Sequence, residues 1–462
     1  MTQQLRNVNQ GIAEDQPGAS ALTRRRFVSS LAAGAAGAAA WSWTDGRAAA
    51  QVANTPASPA GQPQFKGFPA GLAGEAFWTD VRRHFSIDPP LTFLNNGTLG
   101  PAPDIVLDTR EHYGRLLARD PRDNFRSKEL AEVRAQLAAF INASPEEISI
   151  THSTTEGMNI FAHGLDWRAG DEVILGDQEH FGATEPYRTL AQRCAVKVVT
   201  AQLPIPATSV GQIVDAYAKA FTPRTRVLVV STVSWLTGMV APLAELAKLA
   251  HDHGALISVD GAQSFGVLPL DVQATGIDHF AGSGQKWLLA GTGTGVNFVR
   301  RSVQPTIWPL YGFHDPANAT SSRYERSGQL GIPAAVGIGA ALQFLSAIGK
   351  GRIEARSREL SARVHAGIAR IPGATLLTPA DPLLSGSIQV FTLPGLPSPG
   401  IVRLLDEQEH IVVRGVTIGD TRAIRVSTHV YNTPSQVDRL LDVLNAWVRK
   451  PPVFPPEPKR ES

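Results

Sequence analysis

The chain has 462 residues, more than one hydrophobic core usually serves, so two packed domains, or three, are expected. With 43% apolar and 18% charged residues and a formal net charge of +2, nothing marks it as a binder of nucleic acid or of an acidic membrane surface. The one cysteine, Cys194, excludes an internal disulfide and any multi-cysteine metal site. It lies at a helix-to-strand junction in RTLAQRCAVKVVT, where a packing role is expected.

The first fifty residues read as an address rather than as fold. TRRRFVSSLAAGAAGAAAW sets Arg24, Arg25 and Arg26 before a phenylalanine and a weakly apolar Ala/Gly run, which resembles a twin-arginine (Tat) signal. GRAAA ends in a small-x-small site, placing cleavage after Ala50; the alternative is a basic N-terminal helix that stays attached. The run is too short and too rich in alanine for a transmembrane helix. The expectation is a protein carried by the Tat export machinery to the periplasm or beyond, with no stable membrane insertion after cleavage. Residues 51–75, rich in Pro, Ala and Gln, read as a flexible lead-in.

PPLTFLNNGTLGPAP and a helix near 104–118 follow, expected to pack beside the site. From 147 to about 300, apolar runs of four to seven residues alternate with helical spacings: EISITH, DEVILGD, AVKVVTAQL, TRVLVVSTV and ALISVDGA are strands. TTEGMNIFAHGL, ATEPYRTLAQRC, GQIVDAYAKAF and LAELAKLAHDHG are helices, the last closed by Gly254. This alternation indicates an α/β fold with a mostly parallel sheet flanked by helices, whose ligands sit at the C-terminal strand ends. Beyond 335, IPAAVGIGAALQFLSAIG is an apolar small-residue helix that links two domains, and SIQVFTL, HIVVRGV and AIRVSTHV are short strands. A last helix has Thr433 and Gln436 as a capping box with Pro434 at its first position. The expected division is 76–335 for the N-terminal segment and large domain, 336–448 for a smaller α+β domain, and 449–462 for a Pro-rich tail.

Chemistry concentrates at strand ends. LISVD ends in Asp260, a carboxylate that is costly to bury without a cation nearby, and GAQSFG offers Gln263 three residues on. FAGSGQK ends in Lys286, where an apolar setting lowers an amine's pKa and makes it nucleophilic. Pyridoxal 5′-phosphate joins these roles: a lysine forms its Schiff base and an aspartate holds its pyridinium proton. A structural Asp–Lys ion pair explains the two residues equally well. ITHSTTEGMN places Ser153, Thr154 and Thr155 at a helix start, where hydroxyls and the helix dipole favour an anion, though an ordinary N-cap looks the same. Ser283 adds a hydroxyl, and His180, after EVILGDQE, is placed to stack on a flat ring or to serve structure alone. GTGTG at 291–295 precedes a strand rather than a helix, against a dinucleotide cradle. HDH at 251–253 lacks a matching ligand set, so no metal is expected there.

Taken in order, these motifs resemble the class V aminotransferase family of fold-type-I pyridoxal-phosphate enzymes over residues 75–448. The resemblance implies a fold-type-I architecture with a seven-stranded sheet and a homodimer. STTEGMN is similar to the family's phosphate-binding turn, which gives Thr154 and Thr155 that role. DQEHFG resembles the segment whose histidine stacks on the cofactor, giving His180. VDGAQSFG matches the Asp-x-x-Gln segment, with Asp260 on the ring nitrogen and Gln263 on the ring hydroxyl. SGQKWLLAGTGTGVNFVR matches the Schiff-base segment, giving Lys286, and IRVSTHVYNT the substrate-carboxylate strand, giving Arg425 as a bidentate clamp. KWLL and LNNGTLGPAP look most like the isopenicillin N epimerase-like branch.

Four places depart from the family pattern. Gln285 stands where the family commonly has histidine, and Ser234–Trp235 where it often has an asparagine. Ser327–Gly328 reverses a Gly-Thr that commonly reaches a partner's phosphate, and VVRGVTIGD lacks a desulfurase's mobile cysteine. The expected function is action at the α-carbon of an amino-acid-like substrate, epimerisation first, with β-elimination or transamination as alternatives and a non-catalytic cofactor binder as the competing class.

Overall fold

The computed structural model describes residues 63–124, 127–311 and 318–454. The export signal expected over 1–50, its cleavage site, and residues 51–62 of the lead-in lie outside them. The rest of that lead-in has no regular structure before Gly74, yet it is pinned. Phe65 and Phe68 pack edge-on against Phe344 at centroid distances of 5.0 and 5.5 Å, an arrangement that suits the ring quadrupoles.

The chain then runs through α1 (Gly74–Arg82), β1 (Thr92–Phe93), α2 (Asp104–Arg119) and α3 (Ser127–Ile141). The alternating segment follows: β2 (Ile148–Thr151), α4 (Thr154–Gly164), β3 (Glu172–Gly176), α5 (Phe181–Cys194), β4 (Lys197–Ala201), α6 (Val210–Ala218), β5 (Thr225–Ser231) and α7 (Leu243–Asp252). It continues with β6 (Leu256–Asp260), α8 (Val272–Thr275), β7 (His279–Ser283) and β8 (Gly295–Val299). The remainder is α9 (Ile332–Ile348), α10 (Lys350–Ala369), β9 (Thr375–Leu376), β10 (Ile388–Thr392), α11 (Ser398–Glu409), β11 (Ile411–Val412), β12 (Arg414–Ile418), β13 (Thr421–Ser427) and α12 (Pro434–Arg449).

Seven strands form one sheet in the order β2-β8-β7-β6-β5-β3-β4. Only β8 runs against its neighbours, so β2, β3, β5, β6 and β7 all end at one edge. These strands are buried throughout or nearly so, which is why they read as unbroken apolar runs rather than as alternation. Gly254, at φ +70°, ends α7 as expected.

A four-stranded antiparallel sheet, β12-β13-β10-β9, packs one face on α10, α11 and α12 through Leu360, Ile401, Val437, Phe391 and Ile424. Its opposite face turns Val390, Val416 and Ala423 into the core that also holds Leu228 and Ile257 of the large sheet. The small residues of α9 have a direct purpose: a side-chain carbon on Gly337 would lie 2.9 Å from Arg110 of α2, and one on Gly339 3.2 Å from Val133 of α3. The capping box of α12 is present, with Thr433 and Gln436 reciprocally bonded. Cys194, expected to pack, is instead exposed at the end of α5, because the helix stops there and Ala195 turns away in a left-handed conformation.

His279 crosses the middle of the sheet, stacked on Phe161 at 4.4 Å, with Nδ1 and Nε2 each 2.8 Å from Ser258 Oγ and Asn297 Oδ1. Burial pushes its pKa down to about 4, from the ordinary 6.5. Between those values the unfolded chain binds more protons, so stability rises with pH across the window and is lost on acidification. His279 alone should cost about 2 kcal/mol on going from pH 7 to pH 5. His279→Gln should flatten the fall in Tm over that range; equal slopes for the two proteins would refute the assignment.

Candidate active site

The common edge of the parallel strands gathers Thr154, Thr155, His180, Asp260, Gln263, Ser283 and Lys286, and Arg425 reaches the site from the second sheet. At the end of β2, Ser153 caps α4 by accepting from the Glu156 amide. Thr154 opens that helix, its amide 3.2 Å from Ser283 Oγ and its own hydroxyl 2.7 Å from the same atom. Ser283 ends β7, so hydroxyls from two separated strands meet at one helix N-terminus. Thr155 Oγ1 lies against the backbone of Gly182 so closely that a side-chain carbon there would sit 2.7 Å away. A helix N-terminus lined with hydroxyls is a site for an anion such as phosphate.

Asp260 ends β6, buried, and accepts the Ala262 amide at 2.8 Å. Burial raises its pKa, while that hydrogen bond and the charge of Lys286 pull the other way. Lys286 is lowered, first by burial and then by Arg425, with Asp260 opposing. Lys286 therefore feels the charges of both Asp260 and Arg425. Gln263 donates to the Gly97 carbonyl at 2.9 Å and accepts from Trp287 Nε1 at 2.8 Å. It is thereby tied to the lysine's own segment.

That segment is clamped from behind. The Gln285 carbonyl accepts from the Gly100 amide at 2.8 Å, the Lys286 carbonyl from Asn96 Nδ2 at 3.4 Å, and the Trp287 carbonyl from His429 Nε2 at 2.8 Å. Tyr431 completes the set by donating to Asn96 Oδ1 at 3.0 Å. The donors come from LNNGTLG near the start of the described chain and THVYN near its end. Asn95 and Ser427 form a parallel bridge between these two pieces. From sequence, LNNGTLGPAP was placed only beside the site. The paired asparagines and close glycines were the available signal of a larger role.

His180 closes β3 and caps α5, its Nδ1 accepting the Gly182 amide at 3.1 Å. Its pKa is pushed down to about 4 by burial and by the positive charges of Lys286 and Arg425, so the ring is neutral at pH 7. One face carries Phe181 at 3.9 Å, and Trp235 meets it edge-on at 5.3 Å. Glu179, just before it, holds the amide and hydroxyl of Ser231 at the end of β5. Burial raises Glu179 to about 8, so it keeps its proton at neutral pH.

Arg425 lies on β13, 2% exposed, with Nη1 3.3 Å from the Trp235 carbonyl and Nη2 3.1 and 2.9 Å from Asn95 Oδ1 and Thr98 Oγ1. All three partners are neutral, and Nε is buried with none. Burial and the charge of Arg414 lower its pKa to about 10, so it remains a cation. Trp235 also has a buried Nε1 without a partner. Of the other departures, the Gln285 side-chain oxygen is buried and unpartnered, and the Ser234 hydroxyl accepts the Leu236 and Thr237 amides of its own turn while donating to Gln178 Oε1 across to the loop after β3. His251 of the HDH stretch pairs with Asp278 at 2.9 Å. Among the described residues no cluster of three or more His, Cys, Asp or Glu is placed to hold a metal ion.

The family model for class-V aminotransferases matches residues 102–440. An isopenicillin N epimerase of Amycolatopsis lactamdurans is 33% identical over 390 residues, 79% of this chain and 98% of the relative. Among solved structures, the apo cysteine desulfurase of Thermococcus onnurineus is similar with a TM-score of 0.71 at 25% identity, over 80% of this chain and 98% of that one. A cystine C–S lyase in complex with its product, cysteine persulfide, has a TM-score of 0.71 at 26% identity, over 79% and 98%.

Gly100 tests the clamp. A side-chain carbon there would lie 2.2 Å from the Lys286 carbonyl oxygen and 2.7 Å from Leu289. Gly100→Ala should cost about 1–3 kcal/mol of stability through overpacking and displace the lysine segment. Gly114→Ala, with nothing within 4 Å, is the control. A Tm for Gly100→Ala no lower than the control's would show that the clamp is slack.

Proposed function

This chain belongs to the class-V aminotransferase family, and on that premise we propose that it is an epimerase acting at the α-carbon of an amino-acid substrate. It has the fold of fold-type-I pyridoxal-phosphate enzymes and is an enzyme dependent on that cofactor. Bound pyridoxal phosphate supplies an electron-accepting ring that makes the substrate's α-proton removable. The residues present fit it. Thr154, Thr155 and Ser283 would take the phosphate, Asp260 the ring nitrogen, Gln263 the ring hydroxyl through its remaining N–H, His180 the ring face, and Lys286 the aldehyde.

One observation carries the reading: a buried guanidinium with only neutral partners. An uncompensated buried cation is costly, and a carboxylate accepted at Arg425 Nε offsets that cost with a charge-assisted hydrogen bond. The α-carboxylate of an amino acid is such a group, and it directs the α-carbon toward Lys286. Burial and Arg425 lower the Lys286 amine, which favours its neutral, proton-accepting form. Epimerisation needs a second proton carrier. Besides Asp260 and Arg425, His180 is a titratable side chain within reach of the Lys286 charge. Since its Nδ1 accepts the Gly182 amide, the neutral ring carries its one proton on Nε2. His180 would return a proton from its imidazolium form, which a substrate carboxylate at Arg425 favours by offsetting one of the charges that depress it, and we assign Nε2 of that form the returning proton.

Elimination of a β-substituent is the second reading. It uses the same lysine, with His180 protonating the leaving group, and the fold likeness to a cystine C–S lyase favours it. A desulfurase's cysteine nucleophile has no counterpart here, because the chain's one cysteine is exposed at the end of α5. Export by the twin-arginine pathway and residence in the periplasm are proposed on the Arg24–Arg26 stretch alone. A homodimer is proposed on the family resemblance, to which exposed Phe181 beside the site adds support.

In D2O, an epimerase incorporates α-deuterium and yields the opposite enantiomer without ammonia; a lyase yields an oxo acid and ammonia. Lys286→Ala should lower either activity by about 10³-fold or more, the upper range of general acid–base catalysis. Borohydride should fix the cofactor to the peptide bearing Lys286. His180→Gln should keep deuterium exchange from one enantiomer while losing conversion to the other. Label on another lysine would sink the assignment of the base.

A further inference from the structure

Arg414 and Arg425 are register partners on the antiparallel strands β12 and β13. Directly opposed residues share a face of the sheet, and like charges in that position repel. The shared face is the one on which Val416 and Ala423 turn toward the large core, and from which Arg425 reaches the site. Arg414 is exposed where Arg425 is buried, so the pair runs from the outside of this face inward. Its charge is felt at Arg425, where it helps lower the guanidinium's pKa. No carboxylate among the described residues pairs with either side chain: Arg425 has its three neutral acceptors, and Arg414 makes no salt bridge. Nearby, the unpartnered Nε1 of Trp235 adds a donor and no charge to balance the two cations. Opposed arginines with no acid between them are a standing electrostatic cost, and a ligand with one anion for each removes it.

We propose that Arg414 is a subsite for a second carboxylate of the substrate, so that the enzyme takes amino acids with an anionic group remote from the α-carboxylate. This rests on the reading of Arg425 as the α-carboxylate site. The α-carboxylate seats at the inner arginine and the distal one at the outer. The distance between reaction centre and far carboxylate is then what the site measures.

The test uses holoprotein at low salt and unreactive probes, pimelate against heptanoate, which differ by one terminal carboxylate. Affinity is read from the cofactor's visible absorbance. Pimelate should bind about tenfold more tightly than heptanoate, and Arg414→Gln should bring the two within about twofold, with Arg414→Lys retaining part of the difference. Each variant is first shown to hold the cofactor on Lys286 after borohydride reduction. Equal affinities in the unaltered holoprotein, or a preference that survives Arg414→Gln, would overturn the second subsite while leaving the Arg425 reading in place. Failure of the unaltered holoprotein to bind either probe would overturn both.

Discussion

Two cations, Lys286 and Arg425, and one acid, Asp260, meet at the site, with Asp260 and Arg425 buried and Lys286 half-buried between their charges. That imbalance governs the surroundings. A site with excess positive charge survives folding only if its other titratable groups give up theirs and if anions arrive to complete it. His180 is held neutral by the same burial and by the same two cations. Glu179, one residue away, keeps its proton instead of supplying a counter-charge. Arg425 is wrapped in neutral oxygens from Asn95, Thr98 and Trp235. On the proposed reading, the anions the chain withholds are those its ligands would bring, a phosphate at the start of α4 and a carboxylate at Arg425. Folding and ligand recognition thus share one electrostatic account.

Holding such a site together is a mechanical problem as well. The lysine segment leaves β7 at a sheet edge, where its carbonyls have no strand to pair with, and buried carbonyls without partners are costly. Donors from residues 96–100 and from His429 satisfy them in sequence. These come from opposite ends of the described chain and meet through the Asn95–Ser427 bridge and the parallel pairing of β1 with β11. The backbone of the Lys286 segment is therefore held by pieces from both ends of the described chain, so its geometry depends on contacts spanning the whole fold.

The elements that carry the cofactor chemistry were legible because their signals are local. A buried parallel strand is an unbroken apolar run, and a polar residue at its end, such as Asp260 or Ser283, stands out against it. The capping box at Thr433 and the stop at Gly254 are equally local. What escaped the sequence was long-range. Nothing near Asn96 says that its amide reaches the Lys286 carbonyl, 190 residues away. Arg425 was singled out by resemblance rather than by pattern, and its neutral company is a property of two distant loops. Cys194 was misjudged for a related reason: a helix-to-strand junction can face either way, and the left-handed turn at Ala195 decided it.

Legible and illegible parts divide along a functional line. Positions proposed to meet the cofactor lie at the ends of β2, β3, β6 and β7, on the edge of the large sheet. Positions proposed to meet the rest of a substrate, Trp235 and the outer end of the β12–β13 pair, lie on a loop and on a second sheet. Those are the parts a fold can vary without disturbing its central chemistry. Trp235 illustrates the difference: its carbonyl serves Arg425, a task any residue could perform, while its indole edge against His180 and its unpartnered N–H are particular to this chain. On the proposed reading, Lys286, Asp260 and Arg425 define what can happen at an α-carbon. Which of those reactions proceeds would then depend on what the indole and the outer arginine allow to settle there, and on whether His180 Nε2 meets the α-carbon or the departing group.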